Sequence, residues 1–254
     1  MIVKTEEERE GIVEAGRRLG NILAALESKV CPGVTTREID THAERFIREG
    51  GDVPAFKGYL PEGAGYPFPA ALCISVNDEV VHGIPSDRVL MEGDIVTLDL
   101  GLTHKGFVVD AAISVPVGQI DATSQKLLEA TRIALDRAIA AAQPGNRIGD
   151  ISHATGQAFR GTGFSVVKVL GGHGVGASVH EEPYIANDGH PGTGPVIEIG
   201  MVLALEPIAN AGKASVMIAN DGYTYRTRDG SRSAHFEHTI LIEEGGPKVL
   251  TCPD

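Results

Sequence analysis

The 254-residue chain contains no tryptophan, and aromatic residues make up only 5% of it. Its hydrophobic content of 42% is therefore mostly aliphatic, enough for one large core or two small ones and typical of a globular protein. Cysteine is scarce as well. Cys31, Cys73 and Cys252 lie far apart and form no CxxC pair, which excludes a disulfide framework and points to a reducing compartment. Basic residues are outnumbered, 22 against 34 acidic, for a net charge of −12, which argues against a nucleic-acid backbone as the main partner. No run reaches the ~18 apolar residues of a membrane span, and "MIVKTEEEREGIVEAGRRLG" lacks the apolar core of an export signal. A cytoplasmic location without membrane contact is the expectation. No Pro/Gly/Ser-rich linker separates independent domains.

Against these absences stands a regular order of elements. Thr5, followed by Glu8, predicts a capping box ahead of Ile12, Leu19, Leu23 and Leu26 at helical spacing. "CPGVTTREIDTHAERFIREGG" predicts a turn, a helix capped by Thr35 or Thr36, and a Gly-Gly stop. "ALCISVNDEVVHGI", "DIVTLDLGLTH" and "GFVVDAAISVPVG" predict strands. A long Ala/Leu helix over 122–143, a short one after Pro144–Gly145 and the strands "SVVKVL", "VIEIGMVLALEPIANAG" and "SAHFEHTILIEEG" complete the chain.

The order repeats. Pro32–Gly33 with Ile39 recurs as Pro144–Gly145 with Ile151, at one offset of 112 residues. "EGDIVTLDLG" parallels "IGMVLALEPI", setting Asp99 over Glu206, and "FVVDAAIS" parallels "HFEHTILI", setting Asp110 over Glu237. Two related halves, approximately 5–118 and 119–245, are expected within a single domain spanning 1–254, each with two helices and antiparallel strands.

Asp99 and Asp110 flank "LGLTHKGFVV", a hairpin centred at His104–Lys105. Regular pairing about that centre sets them directly opposite, on one sheet face and roughly 5 Å apart. Two bare carboxylates in apolar runs repel and are desolvated, so one takes a proton or both share a cation. An exposed, solvated sheet face is the lesser alternative for this pair, as a strand end at Pro207 is an alternative for Glu206. Glu237, between Phe236 and His238, has no such account. Four acids with one imidazole, for which His173 is the candidate, match a site of two ions roughly 3.5 Å apart with bridging carboxylates.

"GGHGVGASVHEEP" (171–183) is not a phosphate cradle. Ala177 and Ser178 stand where a P-loop needs Lys-Ser/Thr, and no early βαβ unit supports a dinucleotide fingerprint. Its glycines are expected to let backbone pack closely where His173 enters, with unusual φ at one or more of them. Taken singly, His180 and His82 are as consistent with packing as with chemistry.

"KTEEEREGIVEAGRRLG", "CISVNDEVVHGIP", "GDIVTLDLG", "GGHGVGASVHEEP", "LALEPI" and "FEHTILI", in this order, resemble the methionine aminopeptidases of the short bacterial type I. The resemblance covers nearly the whole chain. It implies an α+β fold of the pita-bread class: two pseudo-symmetric halves, antiparallel strands in a central curved sheet, helices on its outer face. It implies metal-dependent removal of N-terminal methionine from nascent proteins and peptides, with a small second residue preferred and a metal-bridged water attacking the scissile carbonyl. Asp99, Asp110, His173, Glu206 and Glu237 would bind two divalent ions (Co, Mn or Fe), Asp110 and Glu237 bridging them. Glu206 would relay a proton, His180 contact the scissile carbonyl and His82 the substrate nitrogen. Tyr59, Tyr66, Phe68, Cys73, Val179 and Tyr223 would form the methionine pocket. The implied partners are polypeptides with a free N-terminal methionine, met by a monomer, with ribosome association left open. Alternatives are an Xaa-Pro aminopeptidase or dipeptidase of the same fold, and a non-catalytic peptide-binding module. Departures are Gly101 where many relatives have Thr, "VVDAA" in place of "GDT" or "GDS", Val179 and Tyr223 for Phe and Trp, and a longer 59–70 loop. The second departure implies that small polar contacts behind Asp110 are missing.

Overall fold

The computed structural model describes residues 1–61 and 63–254. Helix α1 (Glu6–Glu27) opens on the expected box, with the Thr5 hydroxyl accepting from Glu8 N and the Glu8 carboxylate accepting from Thr5 N. It buries Ile12, Leu19, Leu23 and Leu26. Helix α2 (Thr36–Glu49) is capped by Thr35 in the same manner. Helix α3 (Ala122–Ala141) starts at Asp121, whose carboxylate accepts from Thr123 N and Ser124 N, and α4 (Ile148–Ala158) follows Pro144–Gly145. None of the described helices is long and apolar enough to cross a membrane.

Between the helix pairs run β1 (Val53–Pro54), β2 (Leu72–Val76), β3 (Glu79–Val81), β4 (Ile95–His104) and β5 (Phe107–Pro116). After α4 come β6 (Ser165–Val166), β7 (Gly171–Gly174), β8 (Glu181–Ala186), β9 (Val202–Leu205) and β10 (Ile208–Asn210). The last strands are β11 (Val216–Ile218), β12 (Tyr225–Thr227), β13 (Ser233–His235), β14 (His238–Glu243) and β15 (Gly246–Val249). In the first sheet β4 pairs with β5 along one edge and with β2 and β1 along the other. A second sheet has the order β15-β14-β9-β7-β8, and two three-stranded sheets run β13-β10-β6 and β11-β12-β3. All of these pairings are antiparallel, and with four helices packed on the sheets the architecture is α+β.

One aliphatic core lies between α1, α2 and the first sheet, around Ile12, Leu19, Ile39, Leu98 and Leu100. A second lies between α3, α4 and the five-stranded sheet, around Leu135, Ile148, Leu203 and Ile240. Strand β4 is buried over nearly its whole length, as a strand covered on both faces must be. The helices cover one face, and the other faces the cleft.

The β4–β5 hairpin differs from its expected register. Its turn is Lys105–Gly106, with φ of +48° and +89°, and His104 pairs with Phe107. A two-residue turn of this hand needs left-handed backbone at both central positions, which suits Gly106 in the second; a centre at His104–Lys105 would place no glycine there. Asp99 therefore pairs with Ala112, and Asp110 with Gly101. The two acids are diagonal neighbours, not opposed. A shift of two residues preserves parity, so they still share a face.

Two predicted long strands are each broken. "VLALEPIAN" divides at Glu206–Pro207 into β9 and β10, and "SAHFEHTILI" divides at Phe236–Glu237 into β13 and β14. At both breaks the chain leaves one sheet for another: β9 and β14 pair in the five-stranded sheet, β10 and β13 in a three-stranded one. Pro207 has no N–H to continue a ladder. "SVVKVL" contributes only Ser165–Val166. Strands β11 and β12 were not foreseen; Met217 and Ile218 are exposed, so they lack the apolar alternation that marks a half-buried strand.

Candidate metal centre

Each candidate ligand is positioned by backbone pairing. Asp99 sits in mid-β4 with Cys73 beside it on β2 and Ala112 on β5. Asp110 is stapled to β14: its N–H donates to the Thr239 hydroxyl at 3.0 Å, and that hydroxyl donates to the Asp110 carbonyl at 2.7 Å. Two further bonds join Ala112 and Glu237 across the seam, Ala112 N to Glu237 O at 3.3 Å and Glu237 N to Ala112 O at 2.8 Å. The corner that carries Glu237 is thereby fixed to the hairpin that carries both aspartates. Glu206 lies at the neighbouring corner, since His238 pairs with Leu205 and Ile208 with His235 on its two sides.

His173 arrives on β7, between β8 and β9. A Cβ on Gly172 would lie 2.3 Å from the Ala204 carbonyl oxygen, and one on Gly174 would lie 2.3 Å from that of Glu182. The glycines are thus required by close approach, and Gly176 adopts φ of +133°. His173 Nδ1 is 2.9 Å from the Gly174 carbonyl. A carbonyl only accepts, so Nδ1 carries the proton and Nε2 presents a lone pair to the cleft. That nitrogen is 3.6 Å from Glu206 Oε1.

The centre is buried and acidic. Asp99, Asp110, His173 and Glu237 are all buried, and one oxygen each of Asp99, Asp110 and Glu237 has no hydrogen-bond partner among the described residues. Burial pushes the Asp99 carboxyl up to about 7. Burial, then the charges of Asp99 and Glu206, drives Asp110 well above the carboxylate range; burial and then Asp99 does so for Glu206, and burial and then Asp110 for Glu237. Burial also lowers His173 to about 4, keeping it neutral. Ligand atoms of Asp110, His173 and Glu237 lie within 4.8 Å of one another. Hard oxygen donors, a bare imidazole nitrogen and unpartnered carboxylates fit a divalent cation, which would relieve both the desolvation and the mutual repulsion.

Above this floor opens a pocket lined by Tyr59, Phe68, Cys73, His82, Val179, His180 and Tyr223, together with all five candidate ligands. His82 has φ of +58°, a left-handed backbone that residues with side chains uncommonly adopt. Tyr66 does not line the pocket. It is exposed, packs edge-on against Tyr223 at 5.1 Å between centroids, and donates to the Asp221 carbonyl at 2.7 Å. The 59–70 loop includes position 62, which lies outside the described residues.

His235 also lines the pocket and was missed by the sequence reading. It is 1% exposed, both ring nitrogens lack hydrogen-bond partners among the described residues, and Nε2 lies 3.6 Å from Glu206 Oε2 and 3.8 Å from Glu237 Oε2. The available signal was the His-x-Glu spacing of 235 and 237, which in an extended chain places both side chains on one face. Two departures also find their reasons. A Cβ on Gly101 would lie 2.5 Å from the Phe56 ring, so the aromatic ring occupies the space a threonine would need. Ala111 and Ala112 bring no hydroxyl beside the Asp110 carboxylate, and the hydroxyl that does meet this residue, that of Thr239 on β14, holds its backbone N–H and carbonyl instead.

Residues 10–244 match the profile of Metallopeptidase family M24. The chain is similar to a methionine aminopeptidase of Clostridium perfringens, 45% identical over 251 residues covering 99% of this chain and 98% of that one. Among solved structures, that of the Thermotoga maritima methionine aminopeptidase superposes with a TM-score of 0.94 at 43% identity, over 99% of this chain and all of that one. The Pyrococcus furiosus prolidase matches at a TM-score of 0.76 and 24% identity, with only 66% of its length covered, a likeness of fold alone. The chain belongs to Metallopeptidase family M24, among its methionine aminopeptidases, and its fold is the pita-bread fold of that family.

Proposed function

We propose that this member of family M24 hydrolyses the peptide bond after the N-terminal methionine of nascent proteins and peptides, preferring a small second residue. The observation that carries the reading is four acidic side chains and one imidazole with a bare Nε2 meeting at the floor of a pocket walled by Phe68, Cys73, Val179 and Tyr223. In this reading 1–254 is one catalytic domain of two related halves. The enzyme is monomeric and cytoplasmic, and its partners are polypeptides with a free N-terminal methionine.

Asp99, Asp110, His173, Glu206 and Glu237 would hold two divalent ions. Their donor chemistry suits Mn, Fe or Co, and when bound such ions supply the Lewis acidity that makes water nucleophilic near neutral pH. The rest falls to side chains. The unbranched thioether suits apolar walls and the small Cys73 thiol. His180 donates to the scissile carbonyl oxygen as charge develops there. His82, half-buried and lowered to about 4 by burial, stays neutral beside the substrate nitrogen. Glu206 accepts the proton of the attacking water and returns it to the leaving amine.

A series Met-X-Ala-Ser, with X from Gly to Leu, assayed with Mn, Fe and Co beside a panel of Xaa-Pro peptides, tests the reading. Methionine release should fall as X grows, and the Xaa-Pro panel should be inert; cleavage confined to that panel would overturn the specificity. Asp110→Ala should abolish both turnover and calorimetric metal binding. Near-normal hydrolysis by that variant would sink the ligand assignment.

A further inference from the structure

The two histidines of the glycine-rich segment face the pocket in opposite hydrogen-bonding states. His173 gives its Nδ1 proton to a backbone carbonyl, leaving Nε2 bare. Its ring packs edge-on against His180 at 4.6 Å between centroids. The His180 ring has one hydrogen-bond partner among the described residues, the Tyr59 hydroxyl, 2.9 Å from Nδ1. A phenol oxygen shares its lone pair with its ring and is a better donor than acceptor, whereas the in-plane lone pair of a neutral imidazole nitrogen is a good acceptor, so the 2.9 Å contact is read with the Tyr59 hydroxyl donating to Nδ1. With Nδ1 accepting, the neutral ring carries its proton on Nε2, the nitrogen left to face the pocket.

We propose that Tyr59 is a positioning residue that locks His180 in the Nε2–H tautomer, so that the imidazole presents a donor to the scissile carbonyl while its neighbour His173 presents a lone pair. This rests on the peptidase reading and adds a function for Tyr59 beyond that of pocket wall. Both partners are anchored for it. Tyr59 N donates to the Phe56 carbonyl at 2.9 Å, and Phe68 N donates to the Tyr59 carbonyl at 2.8 Å. The His180 carbonyl accepts from the Ser178 hydroxyl at 3.0 Å, and the Glu181 carboxylate takes the Ala177 and Ser178 N–H groups at 2.6 and 2.8 Å. The rings stand 5.5 Å apart between centroids, tilted by 49°. A donor fixed before substrate arrives strengthens as negative charge builds on the oxygen, so its loss should appear in kcat more than in KM.

The test combines nitrogen NMR of the zinc-loaded, 15N-histidine-labelled protein with kinetics of Tyr59→Phe. In the wild type, His180 should show Nε2 protonated and Nδ1 unprotonated, and His173 Nδ1 protonated with Nε2 shifted by zinc, the two assigned by the loss of signals in His180→Gln and His173→Gln. Tyr59→Phe keeps the aromatic wall; it should shift the His180 nitrogens toward a mixture and leave those of His173 in place. Its kcat should fall about three- to tenfold, the worth of one hydrogen bond, with KM within about twofold. A wild-type His180 protonated on Nδ1, or a Tyr59→Phe variant with unchanged kcat, overturns the proposal. A protein that shows both tautomers yet cleaves no methionyl peptide overturns the peptidase reading, and with it the catalytic role given to Tyr59.

Discussion

Replacing Gly172 with alanine probes how the glycine-rich strand holds the centre without touching a ligand. The new Cβ would sit 2.3 Å from the Ala204 carbonyl oxygen on β9. An ordinary C···O contact is about 3.3 Å, so β7 and β9 must separate by about 1 Å, enough to break hydrogen bonds near 2.9 Å. The pairings at risk are His173 with Ala204 and Gly174 with Leu203. Two ladder bonds at about 1 kcal/mol each, with overpacking strain of about 1–3 kcal/mol, suggest a net loss of about 2–4 kcal/mol after partial relaxation. For a domain of this size that is a fall in Tm of about 4–16 °C. His173 Nε2 would also move relative to Glu206, now 3.6 Å away, so metal affinity should weaken about tenfold or more. Circular dichroism melting and metal calorimetry read the two effects. Gly65→Ala is the control, since a Cβ there meets nothing within 4 Å. A Gly172→Ala variant that matched the control in Tm and in metal binding would refute the close-approach account.

Stability of the metal-free protein should depend on pH with a definite sign. The centre's carboxyls are raised in the fold, Asp99 to about 7 from 3.8, so the stabilisation they contribute is full below the unfolded pKa and is lost as pH rises through the folded one. His82, His173 and His235 are lowered to about 4, 4 and 3; their contribution is present above 6.5, falls as pH drops toward those values, and opposes the carboxyl trend below 6.5. Between about pH 7.5 and 8.5, a unit or more above the unfolded histidine value, the carboxyls dominate, so metal-free Tm should decline with pH while the gain in Tm on adding Mn grows. A flat metal-free profile over that window would contradict the buried-acid description. Gly101→Thr should lower Tm and activity because of the Phe56 ring 2.5 Å from its Cβ, and Phe56→Leu in the same chain should restore part of both. Equal loss in single and double variants would show that the ring is not the obstacle.

Much of the local structure was legible in the chain. Thr5 with Glu8 and Thr35 with Glu38 cap their helices as the spacing requires, because a hydroxyl and a carboxylate three residues apart satisfy two orphan N–H groups wherever the helix sits. Acids inside apolar runs marked Asp99, Asp110 and Glu237 as groups needing an explanation, since burial penalises an unpaired charge. Less was legible where side chains answer to distant partners. The hairpin register depended on a turn whose second residue is Gly106, and Thr239 supplies Asp110 with a hydroxyl from 129 residues away. Tyr66 could not be separated from Tyr59 and Phe68 by sequence, because only the folded loop turns its ring onto Tyr223. His235 passed unnoticed because a single histidine carries no periodicity.

The chain by itself determined its helices and their caps, most of its strands, and the residue types able to hold a hard cation, for each of these depends on neighbours a few positions away. The tertiary structure alone decided which of those residues meet. Strands leave one sheet for another at Glu206–Pro207 and at Phe236–Glu237, and the bridge from Ala112 to Glu237 draws those corners onto the hairpin of Asp99 and Asp110. Desolvation and close range then turn scattered acids into one electrostatic unit, and neither quantity is written in the spacing of residues along a chain.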